Sequence, residues 1–269
     1  MKAVILAAGR GTRLEPLTED TPKCMLPLAG RPILEHVIKA VRKAGVREVV
    51  LVVGYGEEKI REYFGEGSDF GIKIEYVFQN QQLGTAHAIG MVELNEDFLV
   101  LNGDTLISSE CVDGVLSAHS NSVATLGLRK VEEPSSYGVV RLKNSRVVEI
   151  IEKPKKYVSN LANAGIYAFS PKIFGAIEKT KKSERGEYEI TSSIRILIDE
   201  GEVARGAMIK GLWSDVGNPW NYLDSNQEML GRMEERIWGE IEEFVKRRGK
   251  LYLGKKSIIK SGSYIEGPV

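Results

Sequence analysis

The sequence has no net charge, few cysteines and no long apolar segment. Its 37 basic side chains balance 37 acidic ones, so no overall field attracts nucleic acid or a membrane surface. The cysteines, Cys24 and Cys111, are too few for a disulfide framework and lack the spacing of a metal site. No segment is apolar over the length needed to cross a bilayer, and no signal peptide is recognisable ahead of the first apolar run. We therefore predict a cytoplasmic protein that binds neither nucleic acid nor membrane.

Two common phosphate-binding motifs are also missing. The glycines Gly9 and Gly11 follow the apolar run Ala3–Ala7, but Leu14 stands where a dinucleotide-binding turn needs its third glycine. The loop in which a Lys-Ser/Thr pair opens a helix is absent as well. Prolines keep the chain irregular until about Pro32. A charged loop of this length inside a compact domain is uncommon unless it has a function.

This irregular loop combines features that suit a chain of phosphates. Gly9 and Gly11 allow the backbone to bend sharply and to bring its N–H groups close to a ligand. Arg13 adds a planar fork of donors, and Lys23 adds a mobile point charge. The loop therefore predicts a binding site for a nucleoside triphosphate. A lysine in such a loop is expected to contribute little to packing.

Apolar runs and amphipathic segments alternate through the first half of the chain. The pattern predicts buried strands over 48–54, 72–78 and 98–101, and helices over 32–44 and 57–64. Such alternation favours a mostly parallel sheet covered by helices on both faces. Ligands then gather at the C-terminal ends of the strands.

The polar segment 79–86 lies at one such end. An amide side chain donates and accepts at once, so Gln79 suits the edge of a pyrimidine, and Gln81 or Gln82 would serve equally. Gly84 would let the base approach the backbone, and Thr85 is expected to begin a helix. The alternative interpretation is an ordinary polar loop with a helix cap.

Asp104 lies at the end of another apolar strand. A short carboxylate at this position suits a phosphate-bound Mg²⁺ ion, which needs only one or two protein carboxylates. The glycine before it, Gly103, again favours close approach of a ligand. The alternative is that Asp104 caps the next helix near Ser108.

The second half reads as antiparallel strands with short turns. Strands are predicted over 123–130, 138–142, 147–152 and 162–169, followed by a helix from about Glu189 and a hairpin between 203–209 and Trp213. The strands supply mixed donors and acceptors through a bare glycine and polar side chains, as a ligand rich in hydroxyl groups requires. These residues are Gly138, Glu152, Lys153 and Asn163. Because neighbours on a strand face opposite sides, only one of Glu152 and Lys153 faces a given pocket. Exposed strand charges and a turn amide are the alternative.

The C-terminal segment has a different pattern. A helix is predicted from Pro219 to about Arg248. After it, Leu253, Ile259 and Ile265 recur every six residues, which is the repeat of a left-handed β-helix. Only about one coil fits into 251–269, and such coils need neighbours. The tail therefore predicts either an incomplete β-helix or a homo-oligomer in which another chain covers it.

The loop sequences resemble the signature of the sugar-1-phosphate nucleotidylyltransferase family. The matching segments are LAAGRGTRL at 6–14, PLT at 16–18 and PKCMLP at 22–27. Glucose-1-phosphate thymidylyl- and uridylyltransferases are similar, as is the N-terminal part of archaeal bifunctional nucleotidylyltransferase/acetyltransferases. The resemblance implies a three-layer α/β/α Rossmann-like fold with a mixed, mostly parallel sheet. It implies a nucleotidylyltransferase domain over 1–230, a linking helix over 231–250 and a hexapeptide-repeat tail over 251–269.

The resemblance also implies roles for individual residues. The implied catalytic residues are Arg13 and Lys23. The implied nucleotide-binding residues are Leu6, Ala8, Gly9, Gly11, Thr12, Gln79, Gly84 and Thr85. The implied sugar-phosphate-binding residues are Gly138, Glu152, Lys153 and Asn163. The implied magnesium ligands are Asp104 and Asp215, the latter in a Trp-x-Asp-x-Gly context where it would otherwise fix a turn before the next helix.

The implied reaction is Mg²⁺-dependent transfer of a nucleotidyl group from UTP or dTTP to glucose 1-phosphate or N-acetylglucosamine 1-phosphate. The alternatives are an activity like that of mannose-1-phosphate guanylyltransferase, and a regulatory homologue that binds nucleotide-sugar without catalysis. A nicotinamide dehydrogenase is disfavoured by the missing third glycine. The histidines His36, His87 and His119 fall in helical stretches without a Ser or Cys partner, so we interpret them as packing or surface residues.

Overall fold

One sheet of nine strands organises the computed structural model, which describes residues 1–269. The strands are β1 (Ala3–Ala7), β2 (Pro27–Leu28), β3 (Arg31–Pro32), β4 (Glu48–Val53), β5 (Lys73–Phe78), β6 (Phe98–Asn102), β7 (Thr105–Ile107), β8 (Ala124–Lys130), β9 (Gly138–Lys143), β10 (Arg146–Glu152), β11 (Leu161–Phe169), β12 (Ala204–Met208), β13 (Trp213–Asp215), β14 (Arg236–Ile237), β15 (Glu240–Ile241), β16 (Lys246–Arg248), β17 (Tyr252–Leu253), β18 (Ile258–Ile259) and β19 (Tyr264–Glu266). The helices are α1 (Ile33–Lys43), α2 (Glu57–Phe64), α3 (Thr85–Gly90), α4 (Ser109–Ala118), α5 (Lys172–Lys179), α6 (Ile190–Asp199) and α7 (Pro219–Arg232).

The order of strands in the sheet is β5-β4-β1-β6-β11-β8-β12-β10-β9. All of them run in one direction except β10 and β11, which are antiparallel to their neighbours. This is the mixed, mostly parallel sheet that the sequence predicts. The run β5-β4-β1-β6 is entirely parallel, so the C-terminal ends of these strands lie along one edge.

The two faces of the sheet form separate apolar cores. Along β1, Ile5 belongs to one core and Val4 to the other, as the alternation of side chains along a strand requires. Helices α1, α2 and α4 cover the first core, and α3, α5 and α6 cover the second. The helices do so through amphipathic faces, such as Leu34, Val37 and Ile38 of α1, which are fully buried. The result is the predicted α/β/α arrangement of three layers.

A third, smaller apolar cluster lies beneath the irregular loop. Leu14 and Leu26 of the loop pack there with Leu106 and Val216. Leu106 follows Asp104 closely in sequence, and Val216 follows Asp215 directly. One cluster therefore fixes the loop and both predicted metal ligands relative to one another.

The predicted linking helix over 231–250 is wrong. Helix α7 ends at Arg232, and the following residues form β14, β15 and β16. These strands pair in parallel with β17, β18 and β19, so one coil of chain stacks on the next. The first coil does not have the apolar six-residue repeat of the second coil. For example, the residue that pairs with Ile265 of the second coil is Arg247. Pairing between the coils overrides the helical propensity of this charged segment.

The predicted hairpin between 203–209 and Trp213 is also wrong. Strand β12 joins the large sheet parallel to β8, whereas β13 pairs with β7 outside that sheet. The difference matters for the site, because the β13–β7 pairing brings Asp215 opposite Thr105. None of the helices is both long enough and apolar enough to span a membrane.

Candidate active site

A polar cavity of about 640 Å³ opens at the C-terminal edge of the parallel strands. The predicted residues that line it are Leu6, Ala8, Gly9, Gly11, Thr12, Arg13, Lys23, Gln79, Gly84, Thr85, Asp104 and Lys153. The irregular loop after β1 forms one wall, and the segment between β5 and α3 forms another. Most of this lining is therefore predictable from the sequence alone.

Gly11 allows the loop to close onto Lys23. Its φ of 80° lies in the left-handed region, which disfavours a side chain. A Cβ atom at this position would lie 2.6 Å from Cβ of Lys23. The hydroxyl of Thr18 donates a hydrogen bond of 2.9 Å to the Gly11 carbonyl. Gly11 is thus in contact with two later parts of the loop, at Thr18 and at Lys23.

Lys23 is buried, with only 6% of its surface exposed. Its Nζ atom lies 2.5 Å from Oδ2 of Asp104. The expectation that a loop lysine contributes little to packing is therefore wrong, because the stem packs against Gly11 and the ammonium group neutralises a carboxylate.

Asp104 lines the cavity, whereas Asp215 does not line it but lies next to Gly217, which does. Asp215 is aligned with Thr105, the residue after Asp104, across the β7–β13 pair. Burial raises the pKa of Asp215, and the charge of Asp104 raises it further, whereas Lys23 and Arg13 act in the opposite direction. Asp104 is not the helix cap, since the residue before α4 is Ser108.

The other predicted catalytic residue is Arg13, which also lines the cavity. It lies in a short 3₁₀ turn, Thr12–Leu14, that is anchored by the buried Leu14. Its guanidinium approaches the backbone of Gly217, where a Cβ atom would lie 3.6 Å from Nη1 of Arg13 and 3.2 Å from Oδ2 of Asp215. Arg13 forms no ion pair with the protein, so its donors are free for an anion.

The two carboxylates fit a magnesium ion. Mg²⁺ prefers hard oxygen ligands and often takes only one or two carboxylates, with phosphate and water completing its coordination. No group of three or more His, Cys, Asp or Glu side chains is arranged so that it could hold a metal ion by itself. Asp104 and Asp215 would hold the ion only together with bound phosphates.

The segment between β5 and α3 forms the opposite end of the cavity. Gln79 is 4% exposed, and its Nε2 donates to Nδ1 of His87 at 2.8 Å. Gly84 has a φ of 116°, and a Cβ there would lie 2.5 Å from the Tyr188 carbonyl. The hydroxyl of Thr85 accepts a hydrogen bond from the Ile190 N–H at 3.0 Å, so Thr85 also fixes the start of α6.

The other two glutamines of this segment differ. Gln82 lines the cavity and donates from Nε2 to the Ala8 carbonyl at 2.7 Å. Gln81 is exposed and does not line the cavity. Of the three glutamines left open by the sequence, Gln79 and Gln82 remain candidates for contact with a base.

Two of the four predicted sugar residues each line a different cavity, and Gly138 and Asn163 line neither of these two cavities. Lys153 lines the main cavity, whereas Glu152 lines a second one of about 560 Å³. Gly138 pairs with Glu152 across β9 and β10, and its absent Cβ would meet Oε2 of Glu152 at 2.9 Å and Cβ of Asn163 at 3.6 Å. Burial raises the pKa of Glu152, as does the charge of Glu189. Gly138, Glu152 and Asn163 are thus brought together.

Sequence reasoning missed Arg185. It lies in the turn before α6, lines the main cavity, and its Nη1 is 3.8 Å from Oε1 of Glu152 and 3.3 Å from Oε1 of Glu189. A charged turn with a glycine (Gly186) just before a buried helix was the available signal. Arg185 connects the two cavities electrostatically.

Cys24 also lines the cavity. Burial, followed by the charge of Asp104, raises the pKa of its thiol to about 12, so the thiol stays protonated. The raised pKa disfavours Cys24 as a nucleophile.

Known proteins resemble the chain over most of its length. Residues 2–232 match the family described as Nucleotidyl transferase. The Bifunctional protein GlmU of Methanococcus maripaludis strain S2 is 41% identical over 268 residues, covering 98% of this chain and 62% of that protein. The Glucose-1-phosphate thymidylyltransferase of Streptomyces griseus is 37% identical over 273 residues, covering 100% of this chain and 77% of that one. A crystal structure of UDP-glucose pyrophosphorylase with UDP-glucose matches with a TM-score of 0.78 at 27% identity, covering 86% of this chain and 99% of the other.

A Rossmann-like α/β fold with a mixed sheet and a cationic cavity at the strand ends defines a class of nucleotide-binding enzymes. Within that class, the chain belongs to the nucleotidyl transferase family, among the sugar-1-phosphate nucleotidylyltransferases. The resemblance drawn from the loop sequences is confirmed. The chain spans about 62% of the length of the GlmU relative.

Proposed function

We propose that the protein transfers a nucleotidyl group from UTP or dTTP to glucose 1-phosphate or N-acetylglucosamine 1-phosphate, with release of pyrophosphate. An oxygen of the sugar phosphate attacks the α-phosphorus in line, so positioning and charge neutralisation do most of the work. The observation that carries the proposal is that Arg13, Lys23 and Asp104 line one cavity and that their charges act on the neighbouring Asp215. Names of the similar proteins, which include a thymidylyltransferase and a UDP-glucose pyrophosphorylase, support it.

Each charged group has a distinct role in this proposal. Arg13 binds the phosphates that leave as pyrophosphate, and Lys23 binds the α-phosphate and the sugar phosphate. Asp104 and Asp215 would hold Mg²⁺, which when bound neutralises phosphate charge. Arg185 and Lys153, which both line the cavity, are positioned for the sugar phosphate.

The remaining predicted residues bind the two substrates. The backbone of residues 6–12 surrounds the triphosphate, and Gln79, Gly84 and Thr85 contact the base. Gly138, Glu152 and Asn163 bind sugar hydroxyls, an assignment that their mutual proximity supports. Residues 1–230 would form the nucleotidylyltransferase domain. The stacked coils of 236–266 would be the start of a left-handed β-helix, which their parallel pairing supports.

A matrix of nucleotides against sugar phosphates, scored by pyrophosphate formed, tests the proposal. We expect Mg²⁺-dependent release with UTP or dTTP and a glucose-type phosphate. Release only with GTP and mannose 1-phosphate would instead indicate a guanylyltransferase. Binding of nucleotide-sugar without any release would indicate a regulatory homologue.

A further inference from the structure

The amide of Gln79 has a fixed orientation in the cavity wall. Its Nε2 faces the Gly84 carbonyl at 3.4 Å and Nδ1 of His87 at 2.8 Å. A flipped amide would place Oε1 against the carbonyl oxygen of Gly84, with two acceptors facing each other. The nitrogen is therefore the atom that points toward Gly84 and His87.

This orientation assigns a tautomer to His87. The amide nitrogen of Gln79 can only donate, so Nδ1 of His87 must accept. The imidazole is then neutral and carries its proton on Nε2. His87 lies in α3, half-buried, and is the one histidine in contact with a residue of the cavity wall.

The other end of the Gln79 amide faces the cavity. Oε1 accepts no hydrogen bond from the protein and is not among the enclosed polar atoms. Gln79 as a whole is 4% exposed and lines the cavity. A nearly buried side chain thus presents a single acceptor to a ligand.

We propose that His87 is a positioning residue that sets base selectivity, by holding Gln79 so that Oε1 faces the nucleobase. An acceptor at this point matches the N3–H of uracil or thymine, whereas N3 of cytosine is itself an acceptor. The site therefore selects uracil or thymine over cytosine. This inference rests on the proposed function, since it places the nucleobase beside Gln79.

The test compares His87→Leu, which removes the acceptor, with His87→Asn, whose Oδ1 retains one near the position of Nδ1. The ratio of kcat/KM for UTP to that for CTP is measured at saturating sugar phosphate. We expect His87→Leu to lower this ratio about tenfold, the effect of one hydrogen bond on a buried amide, because a freed amide can rotate and donate to cytosine. The change should appear in the KM for nucleotide and not in the KM for sugar phosphate. His87→Asn should keep the ratio within about twofold of the unaltered protein.

Two controls separate positioning from structure. Gln81→Ala alters an exposed amide outside the cavity and should leave the ratio unchanged. In a Gln79→Ala background, His87→Leu should change the ratio no further, because the partner that it orients is gone. If His87→Leu does not fold, His87→Ala replaces it in the same comparison.

The inference is overturned if a folded His87→Leu or His87→Ala protein keeps the original ratio, or if Gln82→Ala alone removes the selectivity. Its failure differs from failure of the proposed function. If no nucleotide yields pyrophosphate, the transfer reaction is wrong. The ratio of the affinities for UTP and CTP, measured by titration calorimetry, then replaces the kinetic ratio. Equal affinities in the unaltered protein would overturn the role of His87.

Discussion

Asp215 and Glu35 are carboxylates shielded from water in two different regions. Asp215 lies beside the cavity, where burial and the charge of Asp104 raise its pKa. Glu35, 2% exposed, lies in α1 between β3 and α2. Burial by itself would raise its pKa, but hydrogen bonds from Lys39, Tyr63 and Arg31 outweigh this and lower the pKa to about 2.

The difference lies in the donors that the protein supplies. Arg31 and Lys39 each approach Oε1 of Glu35 at 2.5 Å, and the hydroxyl of Tyr63 donates to Oε2 at 2.6 Å. No side chain donates a hydrogen bond to Asp215 within the protein, and the nearby charges of Lys23 and Arg13 do not outweigh burial and the charge of Asp104. A fully paired carboxylate stabilises the fold, whereas an unpaired one is kept for a ligand.

The largest expected effect comes from Asp215→Asn. Removing the charge should lower the proposed transferase activity by about a thousandfold, because a group that would hold the metal is lost. The melting temperature should stay the same or rise. The pKa of Asp215 is raised in the folded protein, so the charged form costs stability as pH rises past the unfolded pKa, and the amide avoids this cost.

Pyrophosphate assays and thermal melts with and without Mg²⁺ check this prediction. With UTP present to supply the phosphates, Mg²⁺ should raise the melting temperature of the original protein by binding its folded state, and should raise that of Asp215→Asn less. Asp224→Asn, an exposed aspartate on α7, is the matched control and should change neither quantity. A clear fall in the melting temperature of Asp215→Asn would show that this side chain is structural.

Glu35→Gln should lower stability and leave activity nearly unchanged, the reverse of what we expect for Asp215→Asn. We expect it to lower the free energy of unfolding by about 2–3 kcal/mol at pH 7, from the pKa shift and the loss of paired charges. The activity of the folded protein should change little, because Glu35 is outside the cavity.

The effect of Glu35→Gln should depend on pH with a definite sign. The folded pKa is about 2 and the reference value is 4.5, so the ionised group stabilises the fold fully above 4.5. The contribution is lost as pH falls from 4.5 toward 2. Urea unfolding at pH 7 and at pH 3 should give a smaller difference between Glu35→Gln and the original protein at pH 3. The exposed Glu62→Gln of α2 should show no such dependence, and an equal difference at both pH values would contradict the assignment.

These two regions also differ in what the sequence predicts. The cavity loop has an unusual local composition, with Arg13 and Lys23 among glycines and prolines. Its function can therefore be predicted from the sequence without knowledge of the fold. Asp104 can be predicted as a site residue because it directly follows an apolar strand. Arg185 was missed because its contact with Glu152 joins residues that lie far apart in the sequence, and His87 was missed because the contact of its ring with Gln79 depends on how the turn before α3 folds back. The first coil after α7 was missed for the same reason, since its strands are defined by residues that follow it.

The smallest effect is expected at the turn between β2 and β3, next to Arg31. Its central residues, Ala29 and Gly30, have φ angles of 48° and 77°, as in a type I′ hairpin turn. Ala29 is thus an alanine in the left-handed region, held there by a 2.8 Å hydrogen bond from its N–H to Oδ1 of Asn226 on α7. Asparagine tolerates this conformation better than alanine, so Ala29→Asn should raise the free energy of unfolding by about 0.5–1 kcal/mol without altering activity. Ala29→Val should lower it, because a β-branched residue is least tolerant of this region. Urea unfolding of both variants measures the difference, and a stabilising Ala29→Val would show that the turn adopts another conformation in solution.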